Sequence, residues 1–180
     1  MAYTRLVILK LGGSVITHKE SESPSADRDN VRRMSKEIAG AIRLNASDRG
    51  ERLRLVIVHG AGSYGHPIVT RSKIDRGIAT DERTGGLDAG QLLDLARTQR
   101  QMNELNALVT EALIENGVPA FCCQPSSFAV MSGKKLPMES RPAPDARPVI
   151  ASFPILAVAG LVSLGMVPVL FGVPAIRQSS

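Results

Sequence analysis

Two glycine-rich segments carry the residue types that handle phosphate. The first is Lys10-Leu11-Gly12-Gly13-Ser14, with Lys19 a few residues on; the second is Gly60-Ala61-Gly62-Ser63-Tyr64-Gly65-His66. Glycine lets backbone N–H groups approach phosphate oxygens unobstructed and permits positive φ in tight turns. Lys10 and Lys19 offer two cations to one anion. Lys10 also closes an apolar run, an unusual place for an ammonium, which is costly to bury unpaired. His66, following the last glycine at a helix start, can donate a hydrogen bond to a phosphate, with the helix dipole adding attraction. Each feature alone has a structural alternative: Gly12-Gly13 as a plain turn, the lysines as solvated charges, His66 as polar filler at a helix start. Together they suit phosphoryl transfer, which is catalysed mostly by positioning and charge neutralisation.

Other chemistries lack their residues. The patterns G-x-S-x-G, H-E-x-x-H and G-x-x-x-x-G-K-[ST] are absent. Gly60-x-Gly62-x-x-Gly65 matches the dinucleotide fingerprint, but no clear strand precedes Asp81 or Glu82 to put a carboxylate on a ribose. A dinucleotide-binding oxidoreductase therefore stays a weaker alternative. His18, His59 and His66 do not have metal-ligand spacing with the cysteines, so no protein-held metal is expected. Cys122 and Cys123 are adjacent and can form neither a C-x-x-C pair nor half a zinc site, which points to a reducing, cytoplasmic setting. The apolar run at 6–9 is interrupted by Lys10 and is too short for a secretory signal.

The elements that must hold these residues follow from hydrophobic patterning. Residues 5–11 and 55–59 read as buried strands, each running directly into its glycines, and strand, glycines, helix is the order used by phosphate sites. Val31, Met34, Ile38 and Ile42 predict an amphipathic helix over about 29–44, with Asp27 and Asp29 as candidate N-caps and 45–54 as a loop. Residues 74–90 read as irregular. A long helix is predicted over 91–116, stopped by Gly117, then a third strand over 118–123. Residues 133–148 read as a hairpin or exposed loop, 150–164 as a helix and 166–171 as a fourth strand of the series. Strands alternating with helices predict an α/β sandwich around a mostly parallel sheet, whose carboxyl edge would bring both glycine turns to one ligand.

Composition agrees. The 180 residues are 43% hydrophobic and 22% charged, enough for one globular domain and inconsistent with a disordered or fibrous chain. The net charge of +5 is spread among interleaved signs, and four Phe, two Tyr and no Trp leave few stacking platforms for single-stranded nucleic acid. No nucleic-acid partner is expected. The uncharged stretch 148–176 is long enough to span a bilayer, but Pro154, Gly160, Gly165, Pro168, Gly172 and Pro174 interrupt it, so no membrane partner is expected either.

Leu9-Lys10-Leu11-Gly12-Gly13-Ser14-Val15-Ile16-Thr17 with Lys19, taken together with Val58-His59-Gly60-Ala61-Gly62-Ser63-Tyr64-Gly65-His66-Pro67, resembles the amino acid kinase superfamily and within it the isopentenyl phosphate kinases. Gly165-Met166-Val167-Pro168-Val169-Leu170-Phe171-Gly172 looks like the family's next strand and turn. The resemblance implies a three-layer αβα sandwich of the carbamate kinase type, of which residues 1–172 would be the N-terminal, acceptor-binding portion and 173–180 a divergent tail. Family members continue with Gly-Asp and a second half that binds adenine and ribose, where this sequence has Val173-Pro174-Ala175-Ile176.

The implied activity is transfer of the γ-phosphate of ATP, with Mg²⁺, to isopentenyl phosphate. Lys10, Gly12, Gly13 and Ser14 would then line the ATP phosphates, Lys19 would stabilise the transferring group and Gly62 would approach ATP. Ala61, Gly65 and His66 would hold the acceptor phosphate, with Lys10, Lys19 and His66 carrying the catalytic charge stabilisation. The hydrocarbon tail would be read by Tyr64 and the segment 74–90. A homodimer is implied as well. Two alternatives stand beside this reading: a kinase for another small phosphate or phosphonate, as in fosfomycin kinases, and a non-catalytic phosphate-binding module.

Overall fold

Apolar runs of five or six residues, too short for buried helices, become the parallel strands of one sheet in the computed structural model, which describes residues 5–49, 53–125, 130–132, 149–152, 155–172 and 176–177. The expected hairpin or loop at 133–148 lies outside the described residues. In chain order the elements are β1 (Leu6–Leu11), α1 (Gly13–Ile16), α2 (Arg28–Arg49), β2 (Arg54–His59), α3 (His66–Ser72), α4 (Ala89–Glu115), β3 (Ala120–Cys122), β4 (Val130–Ser132), β5 (Val149–Ser152), α5 (Ile155–Ser163), β6 (Val167–Phe171) and β7 (Ile176–Arg177). The main sheet has the order β1-β2-β6-β3, every neighbouring pair parallel. A second, three-stranded sheet has the order β5-β4-β7.

The expected α/β layering is present, with helices on both faces of the main sheet. On one face α2 and α4 bury Val31, Ile38, Met102, Leu105, Val109 and Leu113 against Leu11, Ile57, Val169 and Phe171. Complete burial of a side chain such as Leu105 contributes about 1.5–3 kcal/mol. On the other face α5 packs Val158 against Val56 and Leu170, leaving an apolar groove of about 360 Å³ beside the exposed Leu6 and Ile8 of the edge strand β1. No helix among the described residues is long and apolar enough to cross a membrane.

Helix ends follow local chemistry. Asp27 caps α2, its Oδ1 accepting the Asn30 N–H at 2.9 Å, and Asp88 caps α4 by accepting the Gln91 N–H at 2.7 Å. The expected loop at 45–54 is corrected: α2 runs on to Arg49, because Asn45 to Arg49 includes no glycine or proline to stop it. The expected helix at 150–164 is also corrected. Residues 149–152 form β5, paired antiparallel with β4, and of the described residues in this span only Ile155–Ser163 are helical. The β-branched pair Val149-Ile150 favours extended backbone, and Pro154 disfavours helix in the residue before it. The long helix stops at Gly117 as its sequence predicts, with the Val118 N–H donating to Leu113 O at 3.0 Å.

Candidate active site at the carboxyl edge of the sheet

The site begins where β1, β2 and β6 end. The N–H of Gly60 donates to Leu11 O at 2.9 Å and that of Gly172 to His59 O at 3.3 Å, so the residues after three adjacent strands stand in a row. The two glycine turns then touch. A Cβ on Gly60 would sit 2.7 Å from the amide nitrogen of Gly13, and one on Gly13 would collide with the amide nitrogen of Gly62. Backbone packed this closely explains why both turns need glycine. The amide N–H groups of Gly12, Ala61 and Gly62 donate to no group among the described residues. Such unpaired N–H donors beside a strand edge are what a phosphate cradle requires.

Hydroxyl groups lock the turns together. Thr17 Oγ1 donates to Gly13 O at 2.8 Å and accepts the Ser63 N–H at 3.1 Å. Ser63 Oγ in turn accepts the Ser25 N–H and donates to Ser25 O, at 3.1 and 3.2 Å. The loop carrying Lys19 is closed at its base by the Thr17–Ala26 bridge, with the His18 N–H donating to Ser25 O at 3.0 Å. Lys19 is thus exposed on a loop whose root is bonded to the second glycine turn. Sequence reading missed Thr17, Ser25 and Ser63 as positioning residues, since nothing local couples positions up to 46 apart.

A cavity of about 290 Å³ opens beside the second turn, lined by Ala61, Gly65, His66, Val69, Thr98, Met102 and Gly172. His66, the first residue of α3, is exposed there. Met102 lies behind Gly65: a Cβ on that glycine would be 2.8 Å from Ala61 Cβ and 3.4 Å from Met102 Sδ. The expected acceptor residues Ala61, Gly65 and His66 therefore share one cavity. Lys10 and Lys19 do not line it. Lys10 is exposed at the end of β1, level with Val58, and neither lysine makes an ion pair among the described residues.

Tyr64 departs from the expectation. It is buried in the core rather than facing the cavity, because the 3-10 turn Gly62–Tyr64 points it between the helices and the sheet, where desolvation raises its pKa. The segment 74–90 contributes no lining residue either; it folds onto itself through the Thr80–Leu87 bridge and onto α4 through Gln91, whose Oε1 accepts the Ala79 N–H at 2.6 Å. The residues that line the cavity instead, Val69, Thr98 and Met102, are spaced as ordinary helix positions and carry no sequence signal of a site. No group of three His, Cys, Asp or Glu able to hold a metal occurs among the described residues.

Under the glycine turn lies a buried histidine. His59 is 1% exposed, stacked on Phe171 with ring centroids 5.4 Å apart, and its pKa is lowered by desolvation, which outweighs a hydrogen bond to Gly60 O. Unfolded, it titrates at its ordinary 6.5. Below that value the unfolded chain binds more protons, so stability present above pH 6.5 is lost as pH falls toward the folded pKa. Urea melts at pH 7.5 and 5.5 should show a smaller loss for His59→Gln than for wild type. Equal losses would remove His59 as the source.

Residues 5–179 match the amino acid kinase family. The chain belongs to that family. Among curated relatives it is 44% identical over 123 residues to the isopentenyl phosphate kinase of Methanothermobacter thermautotrophicus, covering 68% of this chain and 41% of that protein. It is 33% identical over 132 residues to the isopentenyl phosphate kinase of Methanocaldococcus jannaschii, covering 72% and 46%. A solved structure described as isopentenyl phosphate kinase superposes with a TM-score of 0.73 at 35% identity, over 97% of this chain and 59% of that one. The chain thus spans about half the length of the amino acid kinase relatives it matches.

Proposed function

We propose that this chain is the acceptor-binding portion of a cytoplasmic, homodimeric kinase that transfers the γ-phosphate of ATP to isopentenyl phosphate, giving isopentenyl diphosphate. The observation that carries the reading is the cavity, which sets Ala61, Gly65 and His66 beside Val69 and Met102. That arrangement suits a phosphate joined to a short hydrocarbon tail. The names of the relatives supply the five-carbon acceptor, and the unpaired N–H groups of Gly12 and Gly62 in the touching turns supply a fit for nucleotide phosphates.

In this reading Lys10, Gly12, Gly13 and Ser14 bind the ATP phosphates, Gly62 lets ATP approach, and Lys19 neutralises the group in flight. His66 donates to the acceptor phosphate with Ala61 and Gly65 beside it. The acceptor oxygen is already anionic, so no general base is required; the residues need only relieve repulsion between two anions. Mg²⁺ would arrive with ATP, held largely by the nucleotide's own phosphates, and would neutralise charge on them.

Phosphorus NMR of isopentenyl phosphate with the 180-residue chain, Mg²⁺ and ATP tests this directly. Diphosphate and ADP signals are expected. Broadening without product would place catalysis outside this span, and silence with turnover of a phosphonate would replace the acceptor. Lys19→Ala should lower turnover by about 100-fold, the scale for removing one transition-state charge partner, without changing the melting temperature, since Lys19 is exposed and makes no ion pair among the described residues.

A further inference from the structure

The geometry points to His59 as a positioning residue that turns the Ala61 N–H into the acceptor cavity by holding the Gly60 carbonyl; the inference rests on the acceptor site proposed above. The argument is one of hydrogen-bond bookkeeping. Asn106, on α4, places Nδ2 3.0 Å from Val169 O and 3.1 Å from His59 Nε2. A carbonyl only accepts, so the atom facing it is the amide nitrogen, and the same nitrogen donates to His59 Nε2. Nε2 therefore carries no proton. The proton sits on Nδ1, which lies 3.0 Å from Gly60 O and donates to it.

The consequence passes through one peptide plane. The Gly60 C=O and the Ala61 N–H belong to the same trans peptide and point in opposite directions. Holding the carbonyl inward against a residue 1% exposed turns the N–H outward. That N–H donates to nothing among the described residues, and Ala61 lines the cavity together with His66. The clamp is stiff, because it joins the end of β2 and the middle of β6 to α4, and α4 also supplies Thr98 and Met102, eight and four residues before Asn106, to the cavity. Its lowered pKa keeps the ring neutral and so keeps the tautomer fixed near neutral pH.

Two substitutions separate orientation from packing. In His59→Asn the side-chain Nδ2 takes the place of Nδ1 and can still donate to Gly60 O. In His59→Gln the amide reaches the Nε2 position, so Asn106 keeps a partner while the Gly60 carbonyl loses its donor. Amide NMR of the 180-residue chain titrated with isopentenyl phosphate reads the result. In wild type and His59→Asn the Ala61 N–H should move downfield saturably; in His59→Gln that shift should vanish and the Kd rise about tenfold. Equal Ala61 shifts in all three, or an unmoved Ala61 while the His66 ring signals respond, would overturn the positioning role and leave the acceptor site standing. No response at either residue would overturn both. Should a variant not fold, ring ¹⁵N shifts of wild type decide alone: a protonated Nδ1 and bare Nε2 on His59 support the clamp, and the opposite tautomer refutes it.

Discussion

His66→Ala should raise the Kd for isopentenyl phosphate at least tenfold, measured by calorimetry or by phosphorus line width, with the melting temperature unchanged. A hydrogen bond to a charged group contributes about 1.5–3 kcal/mol, and the exposure of His66 to solvent places it toward the lower end of that range. The ring stands at the first position of α3, where the helix dipole adds to the attraction for an anion. Since no side-chain hydrogen bond or ion pair to another described residue holds it, its loss should leave the fold intact. Affinity within threefold of wild type would take the acceptor phosphate away from this end of the cavity.

Gly62→Ala should be strongly destabilising for a single added methyl group. Gly62 has φ +50°, and an added Cβ would fall onto Thr17 Oγ1 and 2.7 Å from Gly13 O. The left-handed backbone costs an L-residue about 1–2 kcal/mol. Displacing the Thr17 hydroxyl also strands the buried Ser63 N–H that it satisfies, adding about 1–3 kcal/mol. A total near 3–4 kcal/mol corresponds to a fall of roughly 10 °C in melting temperature for a chain of this size. Gly40→Ala is the matched control: it lies within α2 with nothing near a new Cβ, and should stabilise by about 1 kcal/mol. A Gly62→Ala variant that melts with wild type would mean that the two turns are not interlocked.

What the sequence made legible was local chemistry. Lys10, Gly12-Gly13 and Gly60 to His66 follow strands because short apolar runs read directly as strands and glycine as the punctuation after them; the expected burial holds for β2 but not for β1, an edge strand whose Leu6 and Ile8 are exposed. The place of Tyr64 is not legible in the sequence, because a large amphipathic ring within a glycine turn fits a ligand wall and a core position equally well; only the direction of the 3-10 turn decides. The helix at 150–164 failed for a related reason, since an uncharged run has no polar face to reveal its period. Thr17, Ser63 and Asn106 act through partners 46 to 63 residues away, and pairings of that range have no trace in local spacing.

Met102 has two duties at once. Its sulfur backs the cavity behind Gly65, yet it is fully buried in the core between α4 and the sheet. Enlarging the cavity for a longer acceptor by trimming this side chain therefore hollows the fold itself, at about 2–5 kcal/mol for a Met→Ala change out of the 5–15 kcal/mol typical of a domain. If this cavity holds the acceptor as proposed, substrate range and thermal tolerance share one thioether, and variants that accept bulkier tails must first gain stability elsewhere. Selection for a new acceptor would begin in the core, away from the exposed Lys10 and Lys19.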